Sequence, residues 1–327
     1  MKCLTTTALA LLTAAGSALG GEIGTPPQTV PETPQPYRNP SGTVTQTPPS
    51  NRMLTSGNRV LSTGAIRQGM RVLPQNAYGH GQTLTVCGSL LDQDKPGIYA
   101  YDIQKNTFEP LAISTDLFAN ANGMIYDNTY YSFKLEYDFS GEVCWVNVYL
   151  YDPTTWEKTD YKVVYYQNSP IDLDVDPITN RIYGCFPADD NYGTSNYVWA
   201  QFNPKSYTRA SICELDVKLV AVAADKTGQF YAVDEQGDVY KVDKQTGEKS
   251  KIGPTGLDVT SEAQSMTYDS VYGDMYLSAE LESHETGLYT IDLDTGRATL
   301  VNMYPGQKPF MGIFVPAPEA DFNAPGV

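Results

Sequence analysis

The chain has 327 residues and a formal net charge of −16, because 38 Asp and Glu outnumber 22 Lys and Arg. A surface this acidic repels nucleic acid and anionic lipid, so we expect neither as a partner. Charged residues make up only 18% of the chain and Tyr occurs 24 times, a composition that disfavours a helical protein and suits pleated, half-buried sheets.

Residues 1–20 predict a secretory signal peptide. Lys2 precedes an apolar stretch too short to span a bilayer, and small residues up to Gly20 match what a signal peptidase reads. We expect cleavage near Gly20. We expect no lipid anchor, because a lipid-anchored signal needs a Cys just after the apolar stretch and Cys3 precedes that stretch. The mature protein is therefore expected to be secreted, periplasmic or at the cell surface, with no segment inserted in a membrane.

The next segment, residues 21–56, is rich in Pro and Thr and predicts a disordered linker, because it has too few apolar side chains to form a core. Residues 57–79 are interpreted as a lead-in to a folded domain that spans 80–316. Residues 317–327 are again rich in Pro and Ala. They predict a tail, or the start of a linker to a further domain that is missing here.

Two sequence phrases recur through the folded region. The first is an alternating strand whose last residue is an Asp or Asn that begins a tight turn. These residues follow one another at intervals of 40 to 51 residues, and they are Asp102, Asp152, Asn203, Asp243 and Asp292. The second also ends at an acidic turn position, on Asp127, Asp176, Asp225 and Asp269, and a Tyr-bearing strand follows it. Such side chains can accept backbone N–H groups in turns. Together the phrases predict units of four antiparallel strands, A to D, which is the signature of a β-propeller blade.

We therefore predict an all-β protein, a propeller of five four-stranded blades, or of six if residues 57–79 add strands. Residues 83–113 supply only strands B, C and D of the first blade, and residues 310–315 look like a strand A without successors. We expect this last strand to complete the first blade and close the ring, because closure removes open sheet edges.

The phrases Tyr-Xaa-Xaa-Asp-Xaa-Xaa-Thr-Gly and Met-Xaa-Tyr-Asp resemble the blade motif of NHL-like and YVTN-like propellers. With its leader, Pro-rich linker and Pro-Ala tail, the chain looks like a propeller module of large secreted or surface proteins of Bacteroidetes-type bacteria. The resemblance covers about residues 80–316. It implies a fold and no catalytic residue, because the shared motifs are turns and strand contacts.

Few residues offer catalytic chemistry. The histidines, His80 and His284, are the only candidates for the base of a nucleophile–base pair, and both are predicted to lie outside the strands. The cysteines that follow the leader can be free thiols or disulfides, and the sequence does not choose between the two states for Cys87, Cys144, Cys185 and Cys213.

Several carboxylates invite a calcium interpretation. Asp172, Asp174 and Asp176 do not match an EF-hand loop, and the repeat explains Asp176 as a turn residue. Asp172 and Asp174 share one strand face, which we expect to point toward the central channel. A long polar loop holds the remaining candidates for a calcium site, Asp189, Asp190 and Asn191. No other cofactor is expected.

Function commonly lies on the variable loops of a rigid scaffold. The B–C and D–A connections are predicted to be the longer ones and to share one rim, here named the long-loop rim. Its candidate ligand-binding residues are Asp92, Asp94, Asp189, Asp190, Tyr192, Glu282 and His284. The favoured function is a monomeric binding or adhesion module for a glycan or protein. The alternatives are a secreted carbohydrate-active hydrolase or lyase with an acidic site at the channel mouth, and a structural spacer.

Overall fold

A computed structural model describes residues 78–79, 82–83, 85–114, 116, 120–137, 144–190 and 196–316. The predicted signal peptide, the linker, most of the lead-in and the C-terminal tail lie outside these residues, as do His80, Asn191 and Tyr192. The first described elements are two short paired strands, β1 (Tyr78–Gly79) and β2 (Gln82–Thr83).

Five sheets follow, each with four antiparallel strands, named A to D from the axis outward. Blade 1 consists of β22 (Phe310–Phe314), β3 (Thr85–Leu90), β4 (Gly97–Asp102) and β5 (Thr107–Ile113). Blade 2 consists of β6 (Asn120–Tyr126), β7 (Thr129–Tyr137), β8 (Cys144–Tyr151) and β9 (Lys158–Tyr165). Blade 3 consists of β10 (Asp172–Asp176), β11 (Arg181–Pro187), β12 (Tyr197–Asn203) and β13 (Thr208–Leu215).

Blade 4 consists of β14 (Leu219–Ala224), β15 (Phe230–Asp234), β16 (Asp238–Val242) and β17 (Lys249–Pro254). Blade 5 consists of β18 (Ser265–Tyr268), β19 (Met275–Glu280), β20 (Thr286–Ile291) and β21 (Ala298–Met303). A short 3-10 turn (Tyr166–Asn168) connects blades 2 and 3. In every blade a β-bulge interrupts the pairing of strands C and D, which increases the local twist of the sheet.

The A strands contact one another in a closed circle, in the order β6, β10, β14, β18 and β22. The prediction of five blades is therefore confirmed, and the six-blade alternative does not hold for this ring. Closure is also as predicted, because β22 pairs with β3, with Phe310 opposite Leu90 and Phe314 opposite Cys87.

Burial follows the position of a strand within its blade. Strands β3, β14 and β15 are buried along their whole length, whereas the outer strand β9 is exposed over six of its eight residues. Each sheet has a neighbouring blade on both faces, so side chains on both faces of its inner strands are covered. Five hydrophobic clusters fill the five spaces between neighbouring blades.

The recurring acidic positions act as turn residues, as predicted. The Asp243 carboxylate accepts hydrogen bonds from the backbone N–H groups of Gln245 (2.8 Å) and Thr246 (2.9 Å). Asp292 accepts equivalent bonds at 2.9 and 3.0 Å, and Asp269 accepts one from Val271 at 2.7 Å. Most of the prominent Asp residues thus stabilise backbone turns.

The cysteines whose side chains are described are free thiols, and they are Cys87, Cys185 and Cys213. Burial raises the pKa of the Cys185 thiol to about 12, so it stays protonated at neutral pH.

Within the described ranges, no helix combines the length and the apolar character that crossing a membrane requires.

Candidate functional site

A cavity of about 910 Å³ lies on the propeller axis. Its walls are the A strands of the blades, and it opens among the A–B turns, a face here named the A–B rim. Its charged lining residues are Asp127, Asp172, Asp174, Asp225 and Lys226. Its larger apolar lining residues are Met124, Ile125, Tyr126, Leu173, Val175, Ile178, Met266, Tyr268, Ile313, Phe314 and Val315.

Asp172 forms the floor of the cavity and is 1% exposed. One carboxylate oxygen accepts hydrogen bonds from the Leu173 N–H (2.9 Å) and from the Asn122 side-chain amide. The other accepts from the backbone N–H groups of Val222 (2.7 Å) and Met266 (3.4 Å). Burial raises the pKa of Asp172 well above its ordinary value, against the opposing effect of these bonds.

Asp174 lies two residues further along β10, on the same strand face and nearer the opening. Its carboxylate accepts hydrogen bonds from the backbone N–H groups of Val175 (2.7 Å) and Ala224 (2.8 Å). The side chain is half-buried, and burial raises its pKa to about 7. The expectation that Asp172 and Asp174 point toward the central channel is met, because both line this cavity.

The A–B rim carries apolar side chains that reach solvent. Ile178, which lines the cavity, is 61% exposed, and Val271 and Tyr272 in the A–B turn of blade 5 are 44% and 37% exposed. Exposed apolar groups around a concave site are typical of surfaces that bind another molecule. The rim therefore offers apolar contacts around an opening that leads to an acidic interior.

The described candidates of the long-loop rim lie at the opposite end of the blades and do not line this cavity. Asp92 and Asp94 are in the B–C connection of blade 1, where a hydrogen bond from Lys308 lowers the pKa of Asp92. Glu282 and His284 are in blade 5, and His284 Nδ1 is 3.5 Å from Glu280 Oε1.

The other described candidates, Asp189 and Asp190, follow β11 in blade 3. The backbone N–H and the side-chain amide of Gln167 each donate to the Asp190 carboxylate, both at 3.0 Å. Among the residues that the structure describes, no group of three or more His, Cys, Asp or Glu side chains is arranged to hold a metal. The calcium site and the binding role of the long-loop rim stay predictions.

Loop length separates the two rims less sharply than the sequence predicts. The A–B turn of blade 5 covers residues 269–274, whereas the B–C turn of blade 4 covers only 235–237.

Sequence reasoning missed the residues around the cavity mouth. The second recurring phrase could have located them. In four blades the residue just before the acidic turn position of this phrase lines the cavity: Tyr126, Val175, Ala224 and Tyr268.

No protein-family model matches this sequence, and no curated protein matches it either. Among solved structures, the chain is similar to one in a nidogen/laminin complex, at 11% identity and a TM-score of 0.44, over 72% of this chain and 99% of that one. It is also similar to TolB from Acinetobacter baumannii, at 14% identity and a TM-score of 0.42, over 71% of this chain and 54% of that one.

A third similar structure is a protein of unknown function from Bacteroides thetaiotaomicron, at 14% identity and a TM-score of 0.38, over 66% of this chain and 64% of that one. Similarities this low carry no argument about what the chain binds. Its architecture follows from its own strand pairing, which makes it a five-bladed β-propeller.

Proposed function

We propose that this protein is an exported binding module that holds its ligand, a glycan or a segment of another protein, in the axial cavity at the A–B rim. The observation that carries the proposal is the cavity of about 910 Å³, which combines an acidic interior with exposed apolar side chains around its mouth. Ligand sites are commonly concave, mostly apolar and equipped with a few convergent polar groups.

The rigidity of the floor also supports a binding role. Asp172 connects the A strands of four blades through Asn122, Val222 and Met266, so the walls are held before a ligand arrives. A preformed site loses less conformational entropy on binding than a flexible one. The propeller therefore provides a scaffold on which a modest cavity can bind tightly.

The proposal includes the location outside the cytoplasm, since residues 1–20 read as a signal peptide and residues 21–56 as a linker. It also includes the more specific expectations of a monomer, of NHL-like or YVTN-like repeats and of a Bacteroidetes-type surface protein. The repeat phrases, the leader, the Pro-rich linker and the Pro-Ala tail support the repeats and the surface location.

The test is to apply the purified protein to broad glycan and protein arrays. We expect the selected ligand to lose affinity for variants that remove exposed apolar groups at the A–B rim, Ile178→Asn and Val271→Asn. The matched control is Leu300→Asn, because Leu300 is 50% exposed on the outer strand β21 and far from the axis. Binding that survives both rim changes and is lost with Glu282→Gln or His284→Ala would move the site to the long-loop rim.

One observation favours a second function, a carbohydrate-active hydrolase or lyase. Asp174 has a pKa of about 7 and lines a cavity whose mouth also holds Tyr126 and Tyr268. A carboxyl group with such a pKa can exchange protons at neutral pH, as a general acid or base must. Release of reducing or unsaturated sugar ends from a polysaccharide, abolished by Asp174→Asn, would support this function. If the Asp174→Asn variant released sugar ends at the same rate as the wild type, this second function would be ruled out.

A further inference from the structure

We infer that the axial cavity receives the side chain of an arginine or lysine from an extended segment of a partner protein. This inference rests on the proposed function, because it names the ligand of the same cavity. Four carboxyl groups and one ammonium group line the cavity among the described residues: Asp127, Asp172, Asp174, Asp225 and Lys226. Even without Asp172, whose pKa is raised by burial, three carboxyl groups accompany one ammonium group, so an anionic ligand would meet repulsion there and a cation attraction.

Hydrogen-bond capacity identifies which carboxylate meets the cation. A carboxylate has about four lone-pair sites. Asp172 already accepts from four donors, so its capacity is used within the fold. Asp174 accepts one backbone N–H on each oxygen, from Val175 and Ala224. Each oxygen of Asp174 therefore retains one site, an arrangement that suits the two parallel N–H donors of a guanidinium group.

The order of groups along the axis fits a long basic side chain. β10 runs from the floor at Asp172, past Asp174, to the turn that carries Ile178 at the mouth. Residues two apart on a strand are about 6.6 Å apart, so Asp174 lies roughly that far below the turn that follows Asp176. Arg and Lys bury their aliphatic stems against apolar surface while the charged end reaches a polar group. The apolar walls around Val175 and Phe314 offer such a surface.

Two further observations favour a polypeptide over a small cation such as a polyamine. Val271 and Tyr272 are exposed and follow Ser270, which lines the cavity, so residues that flank a central Arg or Lys would pack against them. In addition, the net charge of −16 attracts a basic segment over longer distances and speeds its association. The partner is therefore a segment in which apolar residues flank a basic one.

The test uses the full protein labelled with ¹³C at its methionine methyl groups. Met124 and Met266 line the cavity, whereas Met275 is buried between blades 4 and 5 and serves as the internal reference. The probes are ten-residue peptides with one central arginine between two leucines, and the same peptide with lysine, citrulline or glutamate instead. Putrescine and a mixture of neutral oligosaccharides complete the set.

We expect saturable shifts of the Met124 and Met266 signals with the arginine and lysine peptides and none with the citrulline and glutamate peptides. Asp174→Asn should weaken binding about tenfold, or about 1.4 kcal/mol, because the amide replaces a charge-assisted hydrogen bond with a neutral one. Asp127→Asn should weaken it less. This variant preserves the turn, since Asp127 has a φ of 46° that Asn also adopts readily. Glu109→Gln, on the outer strand β5, is the control of equal charge change and should leave affinity unchanged.

The inference is overturned if the citrulline peptide binds as well as the arginine peptide, or if neither Asp174→Asn nor Asp127→Asn weakens binding in protein that still unfolds cooperatively. It is also overturned if putrescine alone, or an oligosaccharide alone, shifts Met124 and Met266, although in that case the cavity remains a binding site. If no probe and no ligand from the arrays shifts these two signals, the proposed function fails as well.

Discussion

The Asp172 carboxylate accepts a 2.7 Å hydrogen bond from the backbone N–H of Val222, across the boundary between blades 3 and 4. The same carboxylate accepts from Asn122 in blade 2 and Met266 in blade 5. An A strand is the edge strand of its sheet, so its outward N–H groups have no neighbouring strand to bond with. One buried side chain on the axis thus supplies acceptors to the A strands of several blades.

Asp172→Ala should therefore destabilise the propeller strongly. The substitution leaves the Asn122 amide and the backbone N–H groups of Val222 and Met266 buried without this acceptor, and each unsatisfied group costs about 1–3 kcal/mol. We expect the free energy of unfolding in urea to fall by about 3 kcal/mol. Asp160→Ala, on the exposed strand β9, is the control and should change it by no more than about 0.5 kcal/mol. Equal effects of the two changes would contradict this role.

Stability should fall as pH rises from about 5 to 8. Burial raises the pKa of Asp174 to about 7, so between about pH 4 and 7 the native state holds a proton that the unfolded chain releases. The free energy of unfolding then decreases with pH, by at most about 1.4 kcal/mol per pH unit for one group. Asp172, whose pKa is also raised, acts in the same direction.

The measurement is urea unfolding at several pH values, compared between the wild type and Asp174→Asn. We expect the variant to lose part of the decline between pH 5 and 8. Below about pH 4 the sign reverses, because hydrogen bonds from Lys308 and Lys249 lower the pKa values of Asp92 and Asp216, and that stabilisation is lost on protonation. Identical pH profiles for the two proteins would show that Asp174 titrates normally.

Gly247, in the C–D turn of blade 4, should tolerate no side chain. Its φ is +73°, and a Cβ there would overlap Cys213 Sγ in blade 3. Gly256 has a similar φ of +79° but nothing within 4 Å of such a Cβ. Gly256→Ala should therefore lose only the cost of a left-handed conformation, about 1 kcal/mol, and Gly247→Ala should lose clearly more.

A second substitution separates the two causes at Gly247. Adding Cys213→Ala removes the sulfur atom that the new Cβ would meet, so the double variant should recover stability relative to Gly247→Ala, as measured by thermal unfolding. The recovery is read against Cys213→Ala alone, because that change has its own packing cost. No recovery would mean that the backbone conformation, together with the close approach to Trp199, accounts for the loss.

Removal of the closing strand should abolish cooperative folding. A chain that stops after Pro309 lacks β22, which supplies the A strand of blade 1 and packs Phe310 against Tyr304 with ring centroids 5.8 Å apart. A chain that stops after Pro316 keeps β22 and is the matched control. We expect a sharp thermal transition only from the longer chain. A sharp transition from the shorter one would show that the remaining strands fold without closure.

The sequence predicts the blades well because each blade is formed by residues that are close together in the chain. Turn positions such as Asp243 and Asp292 recur at blade spacing, and strand alternation assigns Asp172 and Asp174 to one face. The position of the cavity is not local, because it depends on how five A strands converge. Likewise the pKa of Asp174 is raised by burial and lowered by the hydrogen bond from the Ala224 N–H in blade 4, so it depends on how the blades pack. No periodicity within blade 3 carries that information.

The closing pair β22 and β3 also decides how the domain bears mechanical load. Thr85 and Phe314, the ends of the two strands, lie at the same end of blade 1 because the strands are antiparallel. Tension applied through the two chain ends would therefore pull the strands apart like a zipper, breaking their hydrogen bonds one after another. The other four blades would bear little of this force until β22 detaches. The same detachment would remove Ile313 and Phe314 from the cavity wall, so stretching the chain would open the cavity that we propose as the binding site.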